Sequence, residues 1–486
     1  MITNTDSENE RMAAEVRARL DRLPSSKFAW KLLLLLLPVW VLESYDIGTI
    51  GTTLAVVKSV WEPSGFEVGA LAISSTLAIA LGLVPSGRLV DRVGRRKVLL
   101  GGVIWFTVFT AAAGLAPNIW ILILLRFLAG LALGAVFPLP YVYLAEFMSP
   151  GLRARFVGYL NGVLTAAYII PPVTAIFLLN NVDEEIAWRL LHIFSVVGLL
   201  YAVAVFKFLP ESPRWLACQG RGADALALIA RIERSVEAGG GTLPPVELAQ
   251  VEPGAGAGSG SNGRRPALDI FRPPLLRRTI VVWLMFFGTL PLFYVVLAFA
   301  PTLMVESGYA LTNSLAFVAG LQLTGGLGGL VQGYLSDRFG RRPLVAGYGA
   351  LSIVGLSLLA TGDSLVMLLV AGALVGFFGL GIFPVAKLYI AEQYPVELRG
   401  VGTSSTEAFG RLFGGVIFAY LVPFIAEAVG TSGVIWTVCV LTGMTTVLPI
   451  LLFGRETKGI DIDDQAMNAR TLPRAGSIPA ATADSN

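Results

Sequence analysis

Two stretches of this chain are nearly the same. Residues Gly87 to Lys97 read GRLVDRVGRRK and Gly333 to Pro343 read GYLSDRFGRRP, an offset of 246 residues. The same offset, without insertion or deletion, sets Gly130 on Gly376, Phe137-Pro138 on Phe383-Pro384, Tyr143 on Tyr389, Ala145-Glu146 on Ala391-Glu392 and Leu152-Arg153 on Leu398-Arg399. A register held over about 65 residues marks an internal structural duplication, so the chain folds as two copies of one architecture.

Composition names the solvent of that architecture. Apolar residues make up 55% of the 486 and charged residues 14%, against roughly 25% charge in a soluble domain. Such a chain cannot cover a water-facing surface, and its partner is a lipid bilayer. In a membrane chain, duplication is the construction of many transporters, with substrate held between the repeats. Runs of about 20 apolar residues are centred near 43, 77, 107, 132, 166, 198, 289, 323, 352, 378, 414 and 442. The expected fold is all-α, with 12 transmembrane helices in two pseudo-symmetric six-helix bundles.

Lys and Arg set the orientation. Arg88 to Lys97, Arg153-Arg155, Arg338 to Arg342, Arg399 and both tails fall on one side. The opposite loops hold Lys58 almost alone among acids, Glu62, Asp183, Glu184, Glu185, Glu306, Asp363 and Glu427. Both termini are therefore expected in the cytoplasm, with the protein multi-pass in the plasma (inner) membrane. The expected division is a tail over 1–28, bundles over 29–209 and 277–455, a cytoplasmic loop over 210–276 and a tail over 456–486. Within the loop, Ala223 to Ala238 has the composition of an amphipathic helix, and Gly239 to Pro266 that of a Gly/Ser/Pro-rich tether. With its first 28 residues polar, the chain is expected to carry no cleavable signal peptide. A net charge of +3 spread over short loops implies no nucleic acid. Cys218 and Cys439 stand far apart, suggesting neither disulfide nor metal site. His192 is the single histidine; without a ligand partner in the sequence, it is expected to be structural.

The repeated motif, Gly-x-Leu-x-Asp-Arg-x-Gly-Arg-Arg, suits a tight turn between helices two and three and between eight and nine. Gly94 and Gly340 supply permissive backbone angles. Asp91 and Asp337 stand where a carboxylate can cap or pair, and Arg95 and Arg341 can bridge to Glu146, Glu392, Glu211 or Glu456.

With these motifs, the chain over about residues 30–458 resembles the major facilitator superfamily. Tyr143 to Arg155 (YLAEFMSPGLRAR), its echo Tyr389 to Gly400 (YIAEQYPVELRG), Pro210 to Leu216 (PESPRWL) and Glu456 to Gly459 (ETKG) look like the sugar-porter-type branch. The resemblance implies alternating access by rocking of two bundles. It also implies a cytoplasmic latch that closes the inner gate in the outward-facing state, built from Asp91, Arg95, Glu146, Arg153, Glu211, Arg214, Asp337, Arg341, Glu392, Arg399 and Glu456. That branch also contains carriers of organic acids, nicotinate-like molecules and organic cations, so fold does not choose a substrate.

Charges at membrane depth are costly and mark function by default. Glu43 and Asp46 lie one turn apart on helix one. Asp46 lies about 15 residues beyond Lys31, roughly 22 Å from the cytoplasmic end at 1.5 Å per residue. Arg126 on helix four lies about eight residues below the outer surface, roughly 18 Å from the cytoplasm in a core of about 30 Å. The depths match, so Asp46 and Arg126 can pair, either as a static strut or as a device. A carboxylate alternating between an arginine and a proton couples ion flow to transport. Proton-coupled members that resemble this chain carry an Asp after Tyr on helix one, here Tyr45-Asp46, and an Arg opening the RxxxGxxxG run of helix four, here Arg126, Gly130 and Gly134.

The second half carries Lys387 on helix ten and Arg411 on helix eleven. Laid against sugar porters by its flanking motifs, the chain replaces the helix-seven Gln pair by Gly288-Thr289 and the later Asn by Tyr294. It replaces the helix-ten Trp by Lys387 and the helix-eleven Gln-Trp by Gly410-Arg411. A hydroxyl-rich ligand loses its amides and stacking platform, and two cations appear; arginine suits bidentate carboxylate recognition. Asn161, Tyr168, Phe293 and Tyr294 remain as lining. Arg411 also stands at i, i+4 from Glu407, which can hold it within its own helix, and Lys387 can equally serve the cytoplasmic mouth.

The leading expectation is a monomeric secondary transporter taking up a small organic anion, such as an aromatic acid, with protons as the coupling ion and no cofactor. A sugar:proton symporter and an exporter of organic cations or drugs, served by Glu43, Asp46 and Glu407, are the alternatives. A sensor on the same fold would need a large cytoplasmic extension. No nucleophile–base set, phosphate loop or metal cluster points to an enzyme.

Overall fold

The computed structural model describes residues 4–246, 267–273, 275–362 and 364–458. Most of the expected tether and the tail past 458 lie outside the described residues, as does the side chain of Asn161. The described chain is helical, without a strand. Among the described residues, ten helices are long and apolar enough to cross a membrane. The first to fourth spans are Lys27–Trp61, Gly65–Val93, Arg95–Ala113 and Ile119–Phe147; the sixth is Glu184–Phe208. The seventh to tenth are Leu275–Glu306, Leu311–Phe339, Arg341–Thr361 and Leu365–Glu392. Leu398–Phe453, 56 residues long, holds the eleventh and twelfth, because the chain turns at Gly430 (φ 75, ψ 175). The fifth crossing is broken into Pro150–Ala167 and Ile170–Leu179. Pro171 and Pro172 lack the N–H that would continue the ladder, so Tyr168 stands at a break.

Local chemistry starts these helices. Ser64 and Glu67 form a reciprocal capping box at the second span, satisfying two of its first donors. The Asn118 side chain accepts from Ile121 N at 3.0 Å at the fourth. Small residues then let spans approach: a Cβ on Gly130 or Gly134 would stand 2.6 or 2.4 Å from the carbonyl oxygen of Ser75 or Ile79 on the second span. This is the close packing by which helices associate in lipid. Helical turns of π type occur in the seventh, tenth, eleventh and twelfth spans (Val295–Phe299, Val375–Leu380, Arg411–Ile417, Thr442–Val447). Such turns are frequent at functional sites.

Residues 4–21, part of the expected tail, form a helix that packs Val16 and Leu20 into the same apolar cluster as the amphipathic helix Gly222–Ala238. Arg19 and Arg22 both donate to Glu233 of that helix.

The two halves meet at the face opposite the arginine-rich loops. There Lys58 pairs with Glu306, and the Phe66 ring meets Tyr420 edge-on, centroids 6.0 Å apart. A Cβ on Gly51 would lie 2.5 Å from Leu297 O, and one on Gly69 would lie 2.7 Å from Tyr420 O. On the basic face the ion pairs formed by the repeated motif are internal to one half or the other. These contacts close the face opposite the basic loops. A Gly51→Leu substitution is therefore expected to block the seal and shift the population toward the opposite-facing state. A cysteine introduced at Thr52, buried here, should become reactive to an impermeant maleimide from that face; unchanged labelling would refute the assignment of the seal.

Candidate functional site

At the basic face each half repeats one arrangement. Arg95 pairs with Asp91 (2.9 Å) and Glu146 (2.9 Å); Arg341 pairs with Asp337 (3.3 Å) and Glu392 (3.4 Å). Glu211 and Glu456 take a different role from the side-chain partners expected. Glu211 accepts from the backbone N–H of Arg95 at 2.9 Å and of Arg96 at 3.2 Å. Glu456 accepts from those of Arg341 at 2.9 Å and Arg342 at 3.2 Å. Each carboxylate thus caps the positive end of a span. Burial opposes the charge of Glu456, but the N–H groups of Lys458, Arg341, Thr457 and Arg342 outweigh it and hold its carboxyl below the usual range. That stabilisation is complete above the ordinary carboxylate range and is lost as pH falls through the lowered value.

The turn admits only glycine. Gly94 (φ 103, ψ 153) and Gly340 (φ 97, ψ 165) occupy backbone space closed to other residues. A Cβ would stand 2.5 Å from Glu211 Oε2 in one and 2.6 Å from Glu456 Oε2 in the other. Gly94→Ala or Gly340→Ala should each destabilise the protein by about 1–3 kcal/mol, read as a lower melting temperature in detergent. An unchanged melting temperature in both would rule out the strain argument. Arg153 donates to Ala145 O at 2.9 Å and Arg399 to Ala391 O at 3.1 Å, while Arg214 pairs with Asp21 at 3.2 Å.

Midway through the first half lies a buried cluster. Asp46 and Arg126 are 0% and 1% exposed, and Arg126 Nη2 stands 3.5 Å from Asp46 Oδ2. The guanidinium gives its best hydrogen bonds elsewhere: to the backbone oxygen of Asp46 at 3.0 Å and to His192 Nε2 at 3.1 Å. The Asp46 carboxylate has only this long contact to the guanidinium and the Ser75 side chain of the second span beside it. Thr49 Oγ1 donates to Asp46 O at 2.8 Å, and Tyr45 Oη donates to Leu191 O at 2.8 Å, tying the first span to the sixth. His192, expected to be merely structural, therefore touches the candidate pair. The depth count that matched Asp46 to Arg126 could have found it: Arg126 lies eight residues past its helix cap Asn118, His192 nine past its cap Asp183.

A second cluster faces it from the other half. Glu407 holds both cations, Lys387 Nζ at 3.4 Å and Arg411 Nε at 3.2 Å. The intrahelical Glu407–Arg411 pair is thus present, and Lys387 joins it. All three side chains are partly exposed, at 36, 29 and 20% for Lys387, Glu407 and Arg411. Arg411 heads a π-type turn and lies over the Phe137 ring of the first half, 5.4 Å from its centroid. Phe137 in turn packs edge-on against Trp40 at 4.7 Å. Tyr168, at the break of the fifth span, meets Phe293 at 5.5 Å, and Phe293 meets Tyr294 at 5.4 Å. Glu43, buried, lies within electrostatic reach of Arg411, Lys387, Asp46 and Glu407 and so stands between the two clusters. The place of Phe137 under Arg411, backed by Trp40, was not legible from the sequence.

The family model for the Major Facilitator Superfamily matches residues 27–359 and 314–476. The chain belongs to the major facilitator superfamily. As a member of that superfamily, it is a transporter and not an enzyme. It is 27% identical to the niacin transporter NiaP of Acinetobacter baylyi, covering 91% of this chain and 97% of that one. It is 28% identical to the 4-hydroxybenzoate transporter PcaK of Pseudomonas putida (84% and 88%) and 30% to polyol transporter 5 of Arabidopsis thaliana (87% and 83%). The fold is similar to that of the inward-open xylose transporter XylE from E. coli, with a TM-score of 0.70 at 17% identity over 90% of this chain and 99% of that one.

Proposed function

We propose that this transporter takes up a small aromatic carboxylate together with protons, by alternating access, as a monomer in the plasma membrane. Its basic face is cytoplasmic, because Lys and Arg concentrate in loops that are not translocated. The observation that carries the substrate class is the Lys387–Glu407–Arg411 cluster. Two cations share one internal carboxylate, with Phe137 under Arg411 and the linked rings of Tyr168, Phe293 and Tyr294 nearby. A ligand carboxylate can replace Glu407 between the cations while its ring packs on these aromatic side chains. The names of the niacin and 4-hydroxybenzoate relatives support an aromatic acid.

The polyol relative favours a second reading, a sugar or polyol symporter. The seventh span weighs against it. A Cβ on Gly288 would stand 2.1 Å from Thr445 Oγ1, and the Thr289 hydroxyl is turned to Phe286 O at 2.9 Å. No amide fits at Gly288 to grip a hydroxyl. Proton coupling is supported by the Asp46–Arg126 pair, whose guanidinium here bonds to other acceptors and leaves the carboxylate able to take a proton.

Uptake into proteoliposomes with an acid exterior tests both parts. Benzoate, 4-hydroxybenzoate and nicotinate should be scored against xylose and sorbitol. Accumulation of at least one acid, abolished by a protonophore, is the expected result. Accumulation of xylose or sorbitol with none of the acids would overturn the substrate class.

A further inference from the structure

His192 holds the arginine that the aspartate is supposed to hold. Its Nδ1 lies 3.0 Å from Trp188 O, which accepts the ring hydrogen, so Nε2 presents its lone pair to Arg126 Nη1 at 3.1 Å. A ring protonated at both nitrogens could not make this contact, since both partners would be donors. The side chain is fully buried, and a buried guanidinium without an acceptor is costly.

We propose that His192 is a positioning residue of the coupling pair: a neutral acceptor that receives the Arg126 guanidinium when Asp46 takes up its proton. It thereby sets the pH at which that proton is taken. The inference rests on the proton-coupled reading above. Two effects act in the same direction. When Asp46 is ionised, His192 draws Arg126 away and keeps the ion pair long, at 3.5 Å. When Asp46 is protonated, His192 leaves Arg126 with a partner. Both favour the protonated carboxyl over a site lacking the histidine.

The surroundings leave few other groups able to act. The first span presents Tyr45, already bonded to Leu191 O, with Asp46 and, one turn away, Glu43. The fourth span presents Arg126, and the second presents the Ser75 hydroxyl to Asp46, its own charges, Glu67, Arg88, Asp91 and Arg92, lying toward its two ends. The third carries its charges, Arg95, Arg96 and Lys97, in its first turn, and its far end meets His192 through the backbone of Gly114. Ile170–Leu179 has no ionisable residue. On the helix of His192 itself, Arg189 is turned to Ala116 O at 2.9 Å and to Glu185 at 3.3 Å, and Glu184 lies at the helix start.

The test needs no identified substrate. Infrared difference spectra of the purified, reconstituted carrier, recorded along a pH titration, report the carbonyl stretch of a protonated carboxyl. Asp46→Asn should remove one titrating band and so assign it. His192→Leu should move that band's midpoint about one pH unit or more toward acid, tenfold in proton affinity. His192→Gln, whose amide oxygen can still accept but cannot titrate, should keep the midpoint near the parent's. His192→Asn, too short to reach Arg126, should behave as Leu does and serves if the Leu variant fails to fold. A parental midpoint in both the Leu and Asn variants overturns the proposal, as does a Gln variant that shifts as far as Leu. If Asp46→Asn leaves every titrating band in place, the proton-coupled reading itself fails, whatever the histidine variants do.

Discussion

On the proposed proton-coupled uptake of an acid, Asp46→Asn is expected to reduce pH-driven accumulation to equilibration, while exchange of internal for external substrate continues. Asparagine nearly matches aspartate in volume, and the hydrogen bonds holding Arg126 in place run to the Asp46 backbone oxygen and to His192. The fold and the position of the guanidinium therefore survive. What is lost is a group that can give up and regain a proton as the carrier changes face. A pH difference of two units, about 2.7 kcal/mol per proton, can support roughly hundredfold accumulation in the parent; the variant should show none. Exchange is the control, because it requires only that the loaded carrier change face. Full accumulation in the variant would assign coupling to another group, and loss of exchange as well would make Asp46 a structural strut.

The pseudo-symmetric fold was readable because its causes are periodic. Apolar runs long enough to span, basic loops on one side and the 246-residue repeat are each properties of sequence spacing. The repeat extends to details that spacing alone could not promise: Arg95 and Arg341 bond to Val90 O and Ser336 O, and Arg153 and Arg399 to Ala145 O and Ala391 O. The roles of Glu211 and Glu456 were not readable. Both were candidate partners of arginine side chains, but helix ends with unsatisfied N–H groups compete for the same carboxylates, and the tight glycine turn presses each acid against the backbone. The helix over residues 4–21 was hidden for another reason. Its polar sequence lacks a strong apolar stripe, and its docking depends on Glu233, more than 200 residues away.

In the site, depth counting placed Asp46 beside Arg126 because a straight helix converts residue number into height. The same arithmetic applied to the sixth span would have added His192; its bland appearance as a lone histidine hid it. Phe137 escaped because its place under Arg411 depends on rotation about the helix axis and on where the halves meet. The π-type turn that Arg411 heads rotates the eleventh span locally and sets its guanidinium over the Phe137 ring, which no fixed period anticipates.

Arg411→Gln is expected to weaken binding of an aromatic carboxylate by at least 30-fold, more than any other single cavity substitution. Removing one side of a desolvated carboxylate–guanidinium pair costs on the order of 2–5 kcal/mol. Lys387→Gln should come second, since its ammonium is the more exposed of the two, at 36% against 20%. Arg411→Lys should recover part of the loss, because an ammonium offers no planar two-point contact. Glu407 decides between ligand recognition and simple helix support. In the empty carrier it occupies both cations, so an incoming carboxylate must compete with it; Glu407→Gln removes the competitor and should leave anion binding as tight as in the parent or tighter. Titration of the purified variants with 4-hydroxybenzoate, benzoate and nicotinate measures all four effects. If Arg411→Gln binds as the parent does while Glu407→Gln loses affinity, the acid is the ligand contact and the arginine its helical partner. The substrate would then be a neutral molecule or a cation.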